Sequence, residues 1–326
     1  MSEMSEFVRG LLPGGDPASG NRIPAPSINR LPGDTVAAGR VMAGVHIALA
    51  GTADSIELEY RMGTEVGFAA PALKPALTVR VVGAHSTAVP IAAPEGRIEV
   101  PLPSRPADAT VRIYLPETNA FEPLGISANS GVIAPVRYSR RWVVYGDSIC
   151  QGWSVSEAGL AWPSLVAERL SIDAVNLGFA GSARGELEAA AVVAASGADA
   201  VAIAWGTNSW ATIPMDPGLI AETMRVFLAT VRRGLPGVPI VVMSPIVRPG
   251  AEAAKNRLGA TLAQLRFALE AAVEAIDSSP PITLIRGLDL LTPEDLVDGI
   301  HPGDKGHAAL AAAVLPTVAR QLAGRP

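Results

Sequence analysis

The chain has 326 residues, which is enough for two domains or one large one. Hydrophobic residues make up 49% and charged residues 17%, so a sizeable core is available and global disorder is excluded. A net charge of −5 with no basic run argues against a nucleic-acid partner, because neutralising phosphates takes clustered Lys and Arg.

One cysteine, Cys150, rules out an intrachain disulfide and fits a reducing compartment. Met1 to Gly10 is polar and mixed in charge, with no apolar core of a signal peptide. No apolar run reaches the roughly 20 residues of a membrane span. The expectation is a cytoplasmic protein without a membrane partner, its oligomeric state left open.

Residues 1–35 are rich in Gly, Pro and Asn, as in Pro13-Gly14-Gly15-Asp16-Pro17, and read as an irregular arm without a long helix or strand. Residues 36–138 carry short alternating runs punctuated by Gly and Pro. These are Val45 to Leu49, Ser55 to Tyr60, Leu77 to Val82, Arg97 to Pro101 and Thr110 to Leu115. A period of two with turn punctuation predicts antiparallel strands, hence a β-sandwich or jelly-roll domain.

Residues 139–326 change pattern. Strands are predicted at Trp142–Tyr145, Ala174–Leu177, Ala200–Trp205, Pro239–Met243 and Ile282–Ile285. Helices are predicted near 158–170, 183–196, 217–234, 252–277 and 305–323. Strand–helix alternation implies a parallel sheet covered by helices on both faces, an α/β domain of doubly wound, flavodoxin-like type.

The first of these strands ends in Gly146-Asp147-Ser148, which presents a serine at the sheet's carboxyl edge, where open α/β sheets bind ligands. A serine hydroxyl is a poor nucleophile near neutral pH. It needs a base, a group that orients the base, and donors for the developing oxyanion. Later blocks offer them in order: Gly181 in Gly178-Phe179-Ala180-Gly181, Asn208 in Gly206-Thr207-Asn208, and Asp298 with His301 in Asp298-Gly299-Ile300-His301-Pro302.

These four blocks resemble the SGNH (GDSL) hydrolase superfamily over roughly residues 140–325. The second block, Asn176-Leu177-Gly178-Phe179-Ala180-Gly181, is similar to the Asn-Leu-Gly-Phe-Ser-Gly of a variant that carries a β-rich domain in front. Val111-Arg112-Ile113-Tyr114-Leu115-Pro116 looks like the end of that leading domain. The resemblance implies Ser148 as nucleophile, His301 as base and Asp298 as its orienting carboxylate. It assigns the oxyanion hole to the N–H groups of Ser148 and Gly181 and the side-chain amide of Asn208. Asp147 is implied to be a supporting residue that bonds neighbouring loops.

Only His301 and His307 fall in the α/β region, and His307 sits early in the last helix, a packing or surface position. His46 and His85 belong to the β-rich region. Asp295 and Glu294 lie near the Asp298 block, but only Asp298 has the Asp-x-x-His spacing. Cys150 competes as nucleophile, yet apolar Ile149 beside it gives no reason for a lowered thiol pKa. Trp153, Trp205 and Trp210 fall near the blocks and serve either as substrate-stacking planes or as core and lid packing. Arg184 either meets an anionic substrate group or starts a surface helix. The segment Trp210 to Pro217 is a candidate pocket wall.

The chain lacks a dinucleotide or P-loop pattern, a G-x-S-x-G elbow, H-E-x-x-H and a Cys/His cluster, so neither a cofactor nor a metal is expected. The resulting expectation is a serine ester hydrolase. It would remove a short acyl group, acetyl included, from a glycan or other small-molecule ester. The alternatives are an acyltransferase using the same acyl-enzyme and a non-catalytic carbohydrate-binding protein.

Overall fold

A computed structural model describes residues 4–15, 18, 20–82 and 85–324; Asp16 and Pro17 of the Gly/Pro-rich run lie outside them. The first part of the chain forms β1 (Val8–Arg9), α1 (Ala25–Ile28), α2 (Gly33–Ala38), β2 (His46–Gly51), β3 (Ser55–Glu65), β4 (Ala76–Val81), β5 (Thr87–Pro90), β6 (Glu95–Pro101), β7 (Val111–Tyr114), β8 (Asn119–Ala128) and β9 (Ile133–Pro135). One sheet runs β1-β2-β7-β4-β5, with β9 added to β2, and a second runs β6-β3-β8. Alternate residues Ile56, Leu58 and Tyr60 of β3 turn inward to meet Ile47, Leu49, Val79 and Ile113 from the opposite sheet. Period-two patterning thus closes a β-sandwich.

The second part forms β10 (Arg141–Gly146), α3 (Ser148–Gln151), α4 (Trp162–Leu170), β11 (Asp173–Gly178), α5 (Leu187–Ala194), β12 (Ala200–Ala204), α6 (Pro217–Gly234), β13 (Ile240–Met243), α7 (Pro249–Glu252), α8 (Leu262–Glu274), β14 (Thr283–Ile285) and α9 (Asp304–Ala323). All pairings in its sheet are parallel, in the order β11-β10-β12-β13-β14. That order is the flavodoxin-like doubly wound one, with its switch point between β10 and β12.

Near-continuous apolar strands follow from burial on both faces. Val143 and Tyr145 of β10, with Val201 and Ile203 of β12, pack against Phe227, Leu228 and Val231 of α6 and Leu265 and Leu269 of α8. Trp142 and Val144 face the other way, onto Trp162 and Val166 of α4 and Leu310, Val314 and Val318 of α9. No described helix is long and apolar enough to cross a membrane.

The N-terminal arm holds only short elements, yet it is seated in both cores. Phe7, Val8 and Leu11 join the sandwich core, whereas Leu12, Ile23, Leu31 and Ala38 join the α/β core. The Gly10 N–H donates to Asp173 Oδ1 at 2.9 Å. Arg22, only 1% exposed, donates Nη2 to the carbonyls of Gly178 (2.8 Å) and Ala38 (3.1 Å) and bonds those of Val41 and Asn176. Its guanidinium lies 5.3 Å from the Phe179 ring centroid, and burial lowers its pKa to about 10, still well above neutrality. The arm therefore grips the carboxyl end of β11, the strand that leads to Gly181.

Several elements differ from the sequence expectation, the short unpredicted strands β5 and β9 among them. The strand β8 was not expected, because Pro123 and Gly125 interrupt its pattern; its register against β3 shifts between Glu59 and Tyr60. The helix predicted over 252–277 starts only at Leu262: α7 ends at Glu252, and between them lies a turn in which Asn256 Oδ1 accepts from Leu258 N and Ala260 N. α8 then starts on a capping box of Thr261 and Gln264. The helix expected from 183 begins at Leu187, because Gly185 takes a positive φ of 75°.

Candidate active site

Ser148 is the first residue of α3, directly after the carboxyl end of β10. Asp147 caps that helix, accepting from Ile149 N at 3.1 Å. Burial pushes the Asp147 carboxyl up to about 6, against backbone donors at Ile149, Thr207 and Gly206. Asp147 thus bonds the neighbouring Gly206–Thr207 turn, the supporting place implied by the resemblance.

Ser148 Oγ lies 2.8 Å from His301 Nε2, and His301 Nδ1 lies 2.7 Å from Asp298 Oδ2. The other carboxylate oxygen, Oδ1, accepts the backbone N–H of Ile300 (3.0 Å) and of His301 (2.8 Å). One carboxylate therefore fixes both the ring and the turn that carries it. That turn is tight, since Val297 N donates to His301 O at 2.8 Å and Leu296 bridges to Pro302. α9 follows at once, and its first residue Asp304 accepts from Ser156 N (2.9 Å) and Oγ (2.7 Å). This ties the histidine loop to the segment after α3.

Burial lowers the His301 pKa below its ordinary value and the charge of Arg248 adds to this, although Asp298 opposes it. The imidazole is consequently neutral at neutral pH and able to accept a proton. For Asp298, burial raises the carboxyl pKa, but the hydrogen bonds from His301 outweigh it and the net shift is downward, so it stays ionised. His307 is fully buried; its Nδ1 accepts from Trp162 N at 3.3 Å and burial pushes its pKa down to about 4. It is a packing residue. Cys150 is equally buried, its thiol facing the Ala204 carbonyl at 3.5 Å, and burial raises its pKa well above the ordinary value. No thiolate forms there at neutral pH.

Gly181 and Asn208 line the same cavity as Ser148 and His301. Gly181 has φ +69°, a left-handed conformation that favours glycine, in the turn leaving β11. Ahead of it, a Cβ at Gly178 would sit 2.7 Å from Gln151 Cα, so α3 and β11 approach closely only because that position is glycine. Asn208 lies in a 3-10 turn after β12 and donates Nδ2 to Ala183 O at 3.2 Å. An amide carries two N–H donors, so one remains for a ligand. Ser148 N, at the first turn of α3, has no intrahelical acceptor.

Of the three tryptophans and Arg184, Trp153 reaches the cavity, its ring 5.7 Å from that of His301. Trp205 corrects the stacking expectation. It is 1% exposed in the α/β core, where its ring would meet any Cβ placed on Gly185. Trp210 also stands outside the cavity lining, with Nε1 donating to Ala254 O at 2.8 Å and its face covered by Arg248. Arg184 is bound to Asp34 of the arm and donates Nε to Ser182 O at 2.9 Å, so it holds the arm rather than the cavity. Ala211 and Thr212 do wall the cavity, and Thr212 Oγ1 donates to Gly181 O at 3.1 Å.

Sequence reasoning missed Phe68, Gln151 and Arg248. Phe68 comes from the sandwich, at φ 66°, and lines the cavity. Gln151 Nε2 donates to Phe68 O at 2.7 Å, and its Oε1 accepts Ala180 N at 3.0 Å. One buried side chain thus joins the sandwich loop, the serine helix and the Gly181 turn. Gln151 lies three residues after the serine, a signal present in the sequence but without a pattern to single it out.

A family model for GDSL-like lipases and acylhydrolases matches residues 139–319. That is more than half of the chain, and the chain belongs to that family. Among proteins of curated function, none matches it in sequence. Solved structures share the fold over nearly the full length. A Bacteroides ovatus protein classed as a GDSL-like lipase superposes with a TM-score of 0.79 at 19% identity, covering 98% of this chain and 97% of its own. A salicylyl-acyltransferase from a tetracycline biosynthetic pathway gives 0.78 at 21% identity, covering 96% and 94%. A family two carbohydrate esterase from Clostridium thermocellum, in complex with cellohexaose, gives 0.62 at 16% identity, covering 86% and 92%.

Proposed function

We propose that the protein is a serine ester hydrolase acting on short acyl esters of small molecules or glycans. The observation that carries this reading is the Ser148–His301–Asp298 relay, with links of 2.8 and 2.7 Å, at the wall of a cavity. Ser148 Oγ attacks the ester carbonyl carbon as His301 Nε2 takes its proton. The carbonyl oxygen becomes the oxyanion and accepts from Ser148 N, Gly181 N and Asn208 Nδ2. On collapse, His301 returns the proton to the departing alcohol and the acyl group stays on Ser148. Water then gives a proton to His301 Nε2, attacks the acyl carbon and releases the acid. Ser148 recovers its proton.

The cavity, at about 190 Å³, is smaller than the roughly 300–1,000 Å³ of pockets that enclose drug-sized ligands, which supports a short acyl group. Acetyl is the simplest such group, and a glycan ester is in keeping with the carbohydrate esterase among the structural neighbours. Hydrolysis of p-nitrophenyl acetate, butyrate and octanoate by the wild type and Ser148→Ala tests the reading. Turnover should favour the shortest chains and vanish in the variant; equal turnover by both proteins would place the chemistry elsewhere.

A second reading shares the same acyl-enzyme, which an alcohol rather than water resolves. The acyltransferase among the neighbours favours it. Product analysis with an added alcohol or sugar acceptor separates the two, since predominant transfer at low acceptor concentration would displace the hydrolase.

A further inference from the structure

The candidate cavity is mostly apolar, walled by Phe68, Trp153, Ala180, Ala211 and Ile300, and one guanidinium, that of Arg248, opens onto it. Three observations set this arginine apart. Its position is fixed: Nη1 donates to Thr207 O and Oγ1, both at 3.3 Å, and its Cζ lies 4.9 Å from the Trp210 ring centroid. It makes no ion pair: among the described residues no carboxylate lies within ion-pair distance of it, and Asp298 and Asp147 act on its charge only from farther off. The nearest carboxylate in sequence, Glu252, accepts the Arg248 backbone N–H at 3.0 Å but gives its charge to Arg266, at 2.9 and 2.7 Å. Finally, Nε and Nη2 are donated to no described protein acceptor, and burial lowers the pKa of the group.

A half-buried charge without a direct ion pair and with two undonated nitrogens is a desolvation cost that folding alone does not reward. Other arginines are answered within the protein: Arg184 pairs with Asp34, Arg266 with Glu252 and Arg80 with Glu168, while Arg22 and Arg232, which make no ion pair, donate every guanidinium nitrogen to a protein acceptor. A planar fork, stacked on an aromatic face and held by one nitrogen, leaves its other donors arranged for a carboxylate.

Resting on the reading that Ser148 attacks an ester, we propose that Arg248 determines specificity, by binding a carboxylate carried by the ester substrate. The substrate class is then a small ester with a free carboxylate on its acyl or its alcohol part. Thr207 couples the contact to the next residue, Asn208, so an occupied Arg248 also steadies the turn that bears an oxyanion donor.

Two pairs of esters test this. Monomethyl succinate against methyl levulinate places the charge on the acyl side, and acetoxyacetate against 2-methoxyethyl acetate places it on the alcohol side. In one pair at least, kcat/KM of the wild type should favour the anionic member by about tenfold or more, the scale of a charge-assisted hydrogen bond. In Arg248→Met that ratio should collapse towards unity, whatever happens to the neutral ester, and Arg248→Lys should keep part of it. A merely structural role would depress both members together and leave the ratio unchanged. Calorimetry on Ser148→Ala with the same four esters reads binding without turnover. It should show the same preference, lost when Arg248→Met is added.

No preference in either pair, in turnover and in binding, overturns the proposal while leaving the hydrolase reading intact. A preference that survives Arg248→Met overturns it too. Charge-dependent binding with no turnover of any ester supports the role of Arg248 and sinks the hydrolase reading instead.

Discussion

The sandwich and the α/β layer are built on the same physics, apolar strand faces closed against a partner, but they contribute unequally to the cavity. Every group that the proposed mechanism uses stands on a connection that follows a parallel strand: Ser148 after β10, Gly181 after β11, Asn208 after β12 and His301 before α9. The sandwich contributes one wall residue, Phe68. The difference lies in how the strands end. Parallel strands all point the same way, so their following loops gather at one edge, with helix N-termini beside them. Antiparallel strands send loops to both ends, and only the loop at Phe68 reaches across. One sheet concentrates chemistry and the other shapes access to it.

Substitutions can break or sharpen that contrast. Ser148→Ala should cost about 10⁴-fold or more in kcat with short p-nitrophenyl esters, as loss of a nucleophile does in other serine hydrolases. Asn208→Ala should follow, costing about 10²–10³ in kcat with little change in KM, because the amide acts where charge develops. An unchanged kcat would remove Asn208 from the oxyanion site.

Trp205→Ala and Trp153→Ala should separate core from cavity. The first removes a fully buried ring and should cost about 3–5 kcal/mol of stability by denaturant titration. The second should leave stability nearly unchanged and alter KM. Reversed outcomes would overturn the assignment of the two rings.

The pH profile gives a smaller effect. His301 has its pKa held below the ordinary 6.5, mainly by burial, and must be neutral to act. Activity is therefore fully present through neutrality and falls about tenfold per pH unit once the pH drops below that lowered value. A rate flat from about pH 5 to about pH 8 would contradict the role. The weakest effect belongs to the sandwich: Phe68→Ala should change the chain-length preference and KM by about tenfold or less. If it abolished kcat, the front sheet would be more than a wall.

The four blocks were legible because each is local. Gly-Asp-Ser at a strand end and Asp-x-x-His before a helix carry their geometry within a few residues. Phe68 and Arg248 were not, because their places depend on contacts far apart in sequence. Phe68 reaches Gln151 across 83 positions and Arg248 reaches Thr207 across 41. For Trp205 and Trp210, proximity in sequence to a motif left stacking and packing both open, and the structure favours packing. A side chain on a buried strand points to one face or the other, and at Trp205 that face is the core. The parallel, doubly wound layout was readable from strand–helix alternation but its strand order was not, and β8 was hidden by its proline and bulge. The break at Asn256–Gly259 had its signal in Thr261-x-x-Gln264, which marks a helix start.

Arg22 closes more than a structural gap. Its guanidinium donates to carbonyls of the α2 turn, Ala38 and Val41, and of β11, while Phe7 and Val8 of the arm plug the sandwich. The arm thereby adds a thread to the bonds that already sew the two sheets together, from Arg80 and Tyr114 to Glu168 and from Gln151 to Phe68. Heating should then give one calorimetric transition rather than two, and Arg22→Ala should lower its midpoint without splitting it; two transitions in the wild type would contradict the coupling.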